Sequence, residues 1–233
     1  MDSRTEQDNQ KLIEHWNRVF SYSAEEPDRK DLPDWNILAP SDKLFQAAAS
    51  LGIRKRILDY GCGNAWASII AAKSGCPDVT AAEIAPHAAE AARTNAALYG
   101  VENSLHVCRI DAGWLKTLPA ASYDGFICSN VLDVIPPETA EEIIRESARI
   151  VSKGAPVIIG MNYWLSPGQA AERGIGLVDG RKVYVDGILR LVSRSDEEWL
   201  QILARYFEPV RTEHFAWPGE KEERRRLFFL RGR

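Results

Sequence analysis

One segment constrains the fold of this chain more than any other, and it reads Ile57-Leu58-Asp59-Tyr60-Gly61-Cys62-Gly63-Asn64-Ala65. An apolar run ends in an acid, two glycines flank a single residue, and a helix-prone stretch follows. Because glycine adopts backbone conformations closed to other residues, this order indicates a strand, a tight turn and a helix. In a parallel sheet such a turn lies at the carboxyl end of its strand, where nucleotide-type ligands bind. A lone Gly-x-Gly is also compatible with a plain turn, so the rest of the chain has to decide.

Strand and helix signals alternate from about residue 53 onward. Strands are predicted over 56–60, 78–83, 104–110, 123–130 and 155–161, and helices over 65–73, over 86–99 and from 137 to just before 154. Apolar strands separated by helices indicate a parallel sheet that is covered on both faces. Near the end, Ser195 and Glu198 form a capping-box pattern that starts a helix. Two final strands, 209–217 and 226–230, predict a hairpin that inserts one antiparallel strand.

Composition limits the classes of protein to which this chain can belong. Its 233 residues, 45% hydrophobic and 27% charged, suit one globular α/β domain. The net charge of −4 gives no support to a nucleic-acid partner. No signal peptide or membrane-spanning run is found, which predicts a cytoplasmic protein without a membrane partner. The four cysteines lack CxxC spacing, so neither a disulfide nor a metal site is expected.

Four motifs follow one another along the chain: the glycine-rich loop at 59–63, Glu83 at the end of the second strand, Asp111-Ala112 after the third, and the segment 128–132 after the fourth. From Ile57 onward it resembles the class I S-adenosylmethionine-dependent methyltransferases, of the small-molecule kind. The resemblance covers roughly residues 40–231 and implies a doubly wound, mostly parallel, Rossmann-like sheet of seven strands. By this resemblance, the expected residues for binding S-adenosyl-L-methionine are Asp59, Gly61, Cys62, Gly63, Glu83, Ile84, Asp111, Ala112 and Asn130.

Chemical reasons support the roles that the resemblance implies. A carboxylate accepts hydrogen bonds, so Glu83 suits the two ribose hydroxyls and Asp111 suits the adenine amino group. The segment 128–132, with Asn130, is expected beneath the methionine part of the cofactor. A dinucleotide is less compatible, because it favours a third glycine where Trp66 would crowd a pyrophosphate.

The acceptor side of the site is expected in two flanking segments. We divide the single domain into an N-terminal helical lid (1–40), a cofactor-binding core (41–161), a small β-meander cap (162–193) and a closing helix with a strand pair (194–233). Alternating apolar and polar residues predict three strands in the cap, over 175–178, 182–185 and 188–192. The resemblance implies that the lid closes over cofactor and substrate, with Tyr22 reaching the cofactor carboxylate. No catalytic residue is assigned. Candidates for the substrate pocket are His15 as a base, Tyr163, Trp164 and Tyr184, although each of these also suits a structural role in its own segment.

Several functions remain open at this point. The main expectation is methyl transfer to an oxygen, nitrogen or carbon of a small molecule, with aromatic molecules among the candidates. A protein that binds S-adenosylmethionine without transferring its methyl group is the alternative, because cofactor motifs report binding and not turnover. An interaction protein with a degenerate pocket is a third hypothesis. A nucleic-acid or protein methyltransferase is disfavoured, because Pro136-Pro137 follows the fourth strand too late to form the base-gripping motif. The meander could also mediate a homodimer.

Overall fold

The computed structural model describes residues 3–21 and 32–233, so the predicted contact of Tyr22 lies outside the described residues. The strands are β1 (Ile57–Tyr60), β2 (Val79–Glu83), β3 (Leu105–Arg109), β4 (Gly125–Ser129), β5 (Pro156–Met161), β6 (Lys182–Val185), β7 (Ile188–Val192), β8 (Phe207–Phe215) and β9 (Arg225–Gly232). The α-helices are α1 (Ser3–Ser21), α2 (Asp42–Ala49), α3 (Trp66–Lys73), α4 (Pro86–Leu98), α5 (Trp114–Thr117), α6 (Pro137–Ile150), α7 (Pro167–Glu172) and α8 (Asp196–Leu203).

Seven of these strands form one sheet, in the order β3-β2-β1-β4-β5-β9-β8. The first five run parallel, and β9 is antiparallel to both β5 and β8. This confirms the predicted mostly parallel sheet with one antiparallel strand. The strand order reverses between β1 and β4, and the carboxyl ends of strands at such a point form a crevice for ligands.

Apolar side chains cover both faces of the sheet. One layer contains Phe126, Trp199 and Phe228 beneath α6 and α8, and the other contains Leu44 and Ile70 beneath α2 and α3. All four residues of β1 are buried, which explains why that strand reads as a continuous apolar run interrupted only by its acid. The doubly wound architecture is therefore confirmed.

The closing helix begins as its sequence predicts. Ser195 accepts a hydrogen bond from the backbone N–H of Glu198, whose own carboxylate accepts one from the N–H of Ser195. This reciprocal pair satisfies two of the amides that a helix leaves unpaired at its start. A second capping box, between Ser166 and Gln169, begins α7, a helix that the sequence analysis did not predict.

The predicted β-meander is wrong in one of its three strands. Strands β6 and β7 form a two-stranded hairpin, whereas the segment 175–178 makes only one isolated bridge, between Val178 and Lys182. The reason is that the first residue of this segment takes part in ending helix α7. Gly174 has a φ of 66°, and the N–H of Ile175 donates to the carbonyl of Ala170 at 2.8 Å, which closes the helix instead of extending a strand.

Helix α1 and the hairpin β6–β7 pack against each other. Leu12 is buried in a small cluster with Leu189 and Val192. The Tyr184 hydroxyl of β6 also donates to Asp8 Oδ2 of α1 at 2.8 Å, so a hydrogen bond joins the two elements beside the apolar cluster. In the described part of the chain, no helix is long and apolar enough to cross a membrane.

Candidate active site

The glycine-rich loop turns sharply between β1 and α3. Gly61, Gly63 and Ala65 have φ values of 70°, 55° and 65°, all in the left-handed region that glycine tolerates best. The amides of Gly61 and Cys62 both donate to the carbonyl of Ala82, at 2.8 and 3.1 Å, so the loop is fixed to the neighbouring strand. A Cβ atom at Gly61 would lie 2.4 Å from Val131 Cγ2, and this contact excludes any larger residue.

Glu83, at the carboxyl end of β2, holds the loop from the other side. Its Oε2 atom accepts a hydrogen bond from the Gly63 amide, and its Oε1 atom accepts one from the Ala85 amide, both at 2.9 Å. Burial raises the pKa of this carboxyl, and the hydrogen bonds to the two amides oppose that rise. Each oxygen retains a lone pair for a further donor, because a carboxylate oxygen accepts two.

Asp59 lies beneath the loop. Its carboxylate is buried and accepts a hydrogen bond from Ser68 Oγ at 2.7 Å. Burial raises its pKa to about 7, and the nearby Glu83 adds to that rise. The side chain therefore links β1 to α3, and its contact with the cofactor stays a prediction.

A cavity of about 460 Å³ opens over the loop, within the range of roughly 300–1,000 Å³ that is usual for small-molecule sites. Its floor is formed by the carboxyl ends of the strands, and α1 forms its roof. The predicted cofactor residues that line it are Gly61, Cys62, Gly63, Glu83, Ile84, Ala112 and Asn130. Asp111 does not line it: this exposed side chain lies between two residues that do, and its Oδ1 atom accepts a hydrogen bond from the Gly113 amide at 2.8 Å.

The roof follows from the spacing along α1. Asn9, Leu12, Ile13, Trp16 and Phe20 line the cavity, and residues three or four apart share one face of a helix. The helix is held over the cavity by two polar contacts to the core. Asn9 Nδ2 donates to Thr139 Oγ1 at 2.9 Å, and the amide of His87 donates to Asn17 Oδ1, also at 2.9 Å.

Comparisons with known proteins agree with this geometry. Residues 57–154 match the family model of a methyltransferase domain. The ribosomal protein L11 methyltransferase of Polynucleobacter necessarius is 32% identical over 120 residues, which are 48% of this chain and 36% of that protein. The ubiquinone biosynthesis O-methyltransferase of Neisseria meningitidis serogroup C is 25% identical over 64% of this chain and 58% of its own length. This chain thus spans between about a third and three-fifths of these relatives.

A solved structure extends the likeness to nearly the whole chain. The 1,6-didemethyltoxoflavin-N1-methyltransferase of Burkholderia thailandensis, with bound 1,6-didemethyltoxoflavin and S-adenosylhomocysteine, superposes with a TM-score of 0.69 at 15% identity. It covers 98% of this chain and 90% of its own. Residues 57–154 thus carry a methyltransferase domain, on the fold of the class I S-adenosylmethionine-dependent methyltransferases. The resemblance seen in the sequence is thereby confirmed.

The lining of this methyltransferase fits the family's cofactor. The Oδ1 atom of Asn130 is buried without a hydrogen-bond partner among the described residues, on a backbone with a φ of 56°. A buried acceptor without a donor is costly, and the ammonium group of S-adenosylmethionine is a donor. Glu83 lines the same cavity and keeps lone pairs that could accept hydrogen bonds from hydroxyls. These two residues supply complementary partners for the two ends of that molecule.

None of the four predicted substrate residues lines the cavity of the methyltransferase. His15 contacts Arg190 Nη1 and packs edge-on against Trp16, and burial together with Arg190 lowers its pKa. Tyr184 is the anchor of α1 described above. The guanidinium carbon of Arg224 lies 5.1 Å from the ring centre of Tyr163, and Trp164 is 44% exposed. His15 and Tyr184 thus join α1 to the β6–β7 hairpin, and Tyr163 and Trp164 lie at the start of the cap segment.

Several aromatic residues that were not predicted as site residues line the cavity. Trp16 and Phe20 lie on the inner face of α1, Trp66 begins α3, and Trp217 follows β8. Trp217 is held by Arg225, whose guanidinium carbon lies 3.7 Å from the ring centre. Helical spacing was a sufficient signal for the two residues of α1. No local sequence pattern indicates Trp217, because this residue reaches the cavity only when β8 pairs with β9 in the closing hairpin.

Proposed function

We propose that this chain transfers a methyl group from S-adenosylmethionine to a small, largely apolar acceptor. The observation that carries the proposal is one continuous cavity, which begins at the glycine loop and Glu83 and continues beneath α1. The part beneath α1 is walled by apolar side chains of that helix, by Ile143 of α6 and by Trp217. A flat or hydrophobic molecule suits this lining, because specificity in such pockets comes from a few polar groups.

The lining also indicates how the reaction would be promoted. Among the described residues, four charged side chains line the cavity, and each has a partner: Glu83 binds two amides, Glu142 pairs with Lys116, and Glu146 pairs with Arg149. None is a free general base. Methyl transfer from a sulfonium is an in-line displacement, for which orientation and exclusion of water supply most of the rate. The residues of α1 would provide that exclusion.

A protein acceptor is the second candidate, because three of the curated relatives are named ribosomal protein L11 methyltransferases. The roof formed by α1 argues against it, since a protein side chain would have to enter beneath a packed helix. Binding without transfer is the remaining alternative. A homodimer, a cytoplasmic location and the division into lid, core, cap and closing segments stay predictions.

The experiment that tests the proposal supplies methyl-labelled S-adenosylmethionine with a panel of phenols, amines and nitrogen heterocycles, and in parallel with ribosomal protein L11. We expect label in a small molecule. Label on the protein alone would refute the small-acceptor proposal, and tight cofactor binding with no labelled product would favour the binding protein.

A matched pair of variants tests the role of the roof. Trp16→Ala removes a ring that lines the cavity, whereas Val19→Ala shortens an exposed side chain on the same helix. We expect Trp16→Ala to raise the acceptor KM by about tenfold or more, since burial of an aromatic ring is worth roughly 1.5–3 kcal/mol. Val19→Ala should leave KM unchanged. An equal effect of the two would show that the acceptor does not bind beneath α1.

A further inference from the structure

A second cleft lies at the end of the sheet opposite the glycine loop, where the parallel strands begin. It has a volume of about 650 Å³ and forms where β5 and β8 begin and β9 ends. The side chains of most interest there are cationic: Arg54, Lys153, Arg211, Arg231 and Arg233. One acidic side chain, Glu208, lines the same cleft. The proposed methyl-transfer reaction uses none of these groups.

The topology explains why these charges converge. Pro156 of β5 is paired with Arg231 of β9, and Arg231 is paired in turn with Glu208 of β8. The loop before β5 contributes Lys153, and the turn before β1 contributes Arg54. Four separate parts of the chain therefore deliver a positive charge to one edge, in a protein whose overall charge is −4.

Most of this charge has no ion-pair partner in the part of the chain that the structure describes. Arg211 forms an ion pair with Glu213 at 2.6 Å, whereas the other four cations form none with the described residues. The Nε atom of Arg54 is in addition buried without an acceptor. A buried guanidinium donor without a hydrogen bond is unfavourable, and an external anion would supply the missing acceptor.

We propose that this cleft binds a small molecule that carries two or more phosphate groups. Arginine donors match phosphate oxygens in geometry and in charge. Near neutral pH one phosphate group brings at most two negative charges, so four unpaired cations, offset only by the carboxylate of Glu208, are better balanced by a ligand with several. Nucleic acid is a poorer match, because the basic residues are confined to one cleft and do not form an extended stripe.

Calorimetry with tripolyphosphate as the probe tests this proposal. The cleft variant is Arg54→Gln combined with Arg231→Gln. The control is Arg93→Gln combined with Arg173→Gln, which removes the same charge from exposed arginines outside the cleft. We expect one tripolyphosphate per chain, affinity reduced about tenfold or more in the cleft variant, and little change in the control. Inorganic monophosphate should bind far more weakly, and added salt should weaken both.

Three outcomes would overturn the proposal. They are no binding by the wild-type protein, equal loss of affinity in the cleft and control variants, and tighter binding of a single-stranded oligonucleotide through the same arginines. Thermal unfolding should show that both variants fold. The affinity for S-adenosylhomocysteine should be the same in the wild type and in the cleft variant, which keeps this test separate from the test of the proposed methyl transfer.

Discussion

The carboxylate of Glu83 accepts a hydrogen bond from the backbone amide of Gly63, with 2.9 Å between Oε2 and N. This contact joins the end of β2 to the loop that follows β1, so one side chain both shapes the loop and presents its remaining lone pairs to the cavity. The acid and the glycine are 20 residues apart in sequence, and they meet because parallel β1 and β2 end at the same edge. The binding surface is therefore preformed by the sheet.

The close approach of the loop to Val131 predicts an effect on stability. In Gly61→Ala, the left-handed backbone should cost about 1–2 kcal/mol, and the overlap with Val131 Cγ2 should add about 1–3 kcal/mol. Gly100→Ala is the matched control, because Gly100 has a φ of 63° and nothing within 4 Å of the added methyl. Urea unfolding should show the larger loss for Gly61→Ala.

A double variant separates the two contributions at Gly61. Val131→Ala removes the overlapping methyl groups, so Gly61→Ala should cost less in that background than in the wild type. The remaining cost should approach that of Gly100→Ala. If the cost of Gly61→Ala is the same with and without Val131, the overlap does not contribute.

Asp59 predicts a dependence of stability on pH. Burial raises its pKa in the folded protein from 3.8 to about 7. Between these values the folded state holds a proton that the unfolded state has lost, so the free energy of unfolding falls as pH rises, by at most about 1.4 kcal/mol per pH unit. Above about pH 7 this contribution no longer changes with pH.

The comparison with Asp59→Asn isolates this group. The amide oxygen can still accept the Ser68 hydrogen bond but does not titrate, so the unfolding free energy of the variant should vary less with pH from about 4 to 7. Glu83, whose pKa is raised by burial as well, still titrates in both proteins, so some dependence on pH should remain in the variant. Parallel curves for the two proteins would show that Asp59 does not carry the buried proton.

The contact of His15 with Arg190 predicts that this histidine is not a catalytic base. In His15→Gln, kcat should remain within about twofold of the wild type, and the pH profiles of kcat/KM should superimpose, since a lost general base would cost about 10²–10⁴-fold. The measurement uses the acceptor identified in the labelling panel. Loss of one limb of the pH profile in His15→Gln would instead assign His15 to proton transfer.

Much of the fold was predictable because its signals are local. Glycine turns, apolar runs and the capping box at Ser195 each depend on a few neighbouring residues, and all appear in the structure where they were expected. The strand predicted over 175–178 does not form, because Gly174 and Ile175 end helix α7, which was not predicted. Alternating residues predicted a strand there, but the backbone amide of Ile175 was already bound.

The site was predictable only in part, for a physical reason. Glu83 and Gly63 follow from the parallel sheet, whose strand ends are aligned by the fold itself. The acceptor side depends on which face of α1 turns inward, and that is set by its packing on the β6–β7 hairpin. His15 and Tyr184 therefore form the contact between helix and hairpin, while Trp16 and Phe20 face the cavity.

Calorimetric binding of S-adenosylhomocysteine to the wild type and to Glu83→Ala tests the central claim most directly. The account predicts one molecule bound per wild-type chain, and an affinity reduced by about 10- to 150-fold in the variant, which corresponds to roughly 1.5–3 kcal/mol for hydrogen bonds to a charged group. Glu83→Gln, which keeps one acceptor oxygen, should lie between the two. An unchanged affinity in Glu83→Ala, or no binding by the wild type, would contradict the assignment of this cavity to the cofactor.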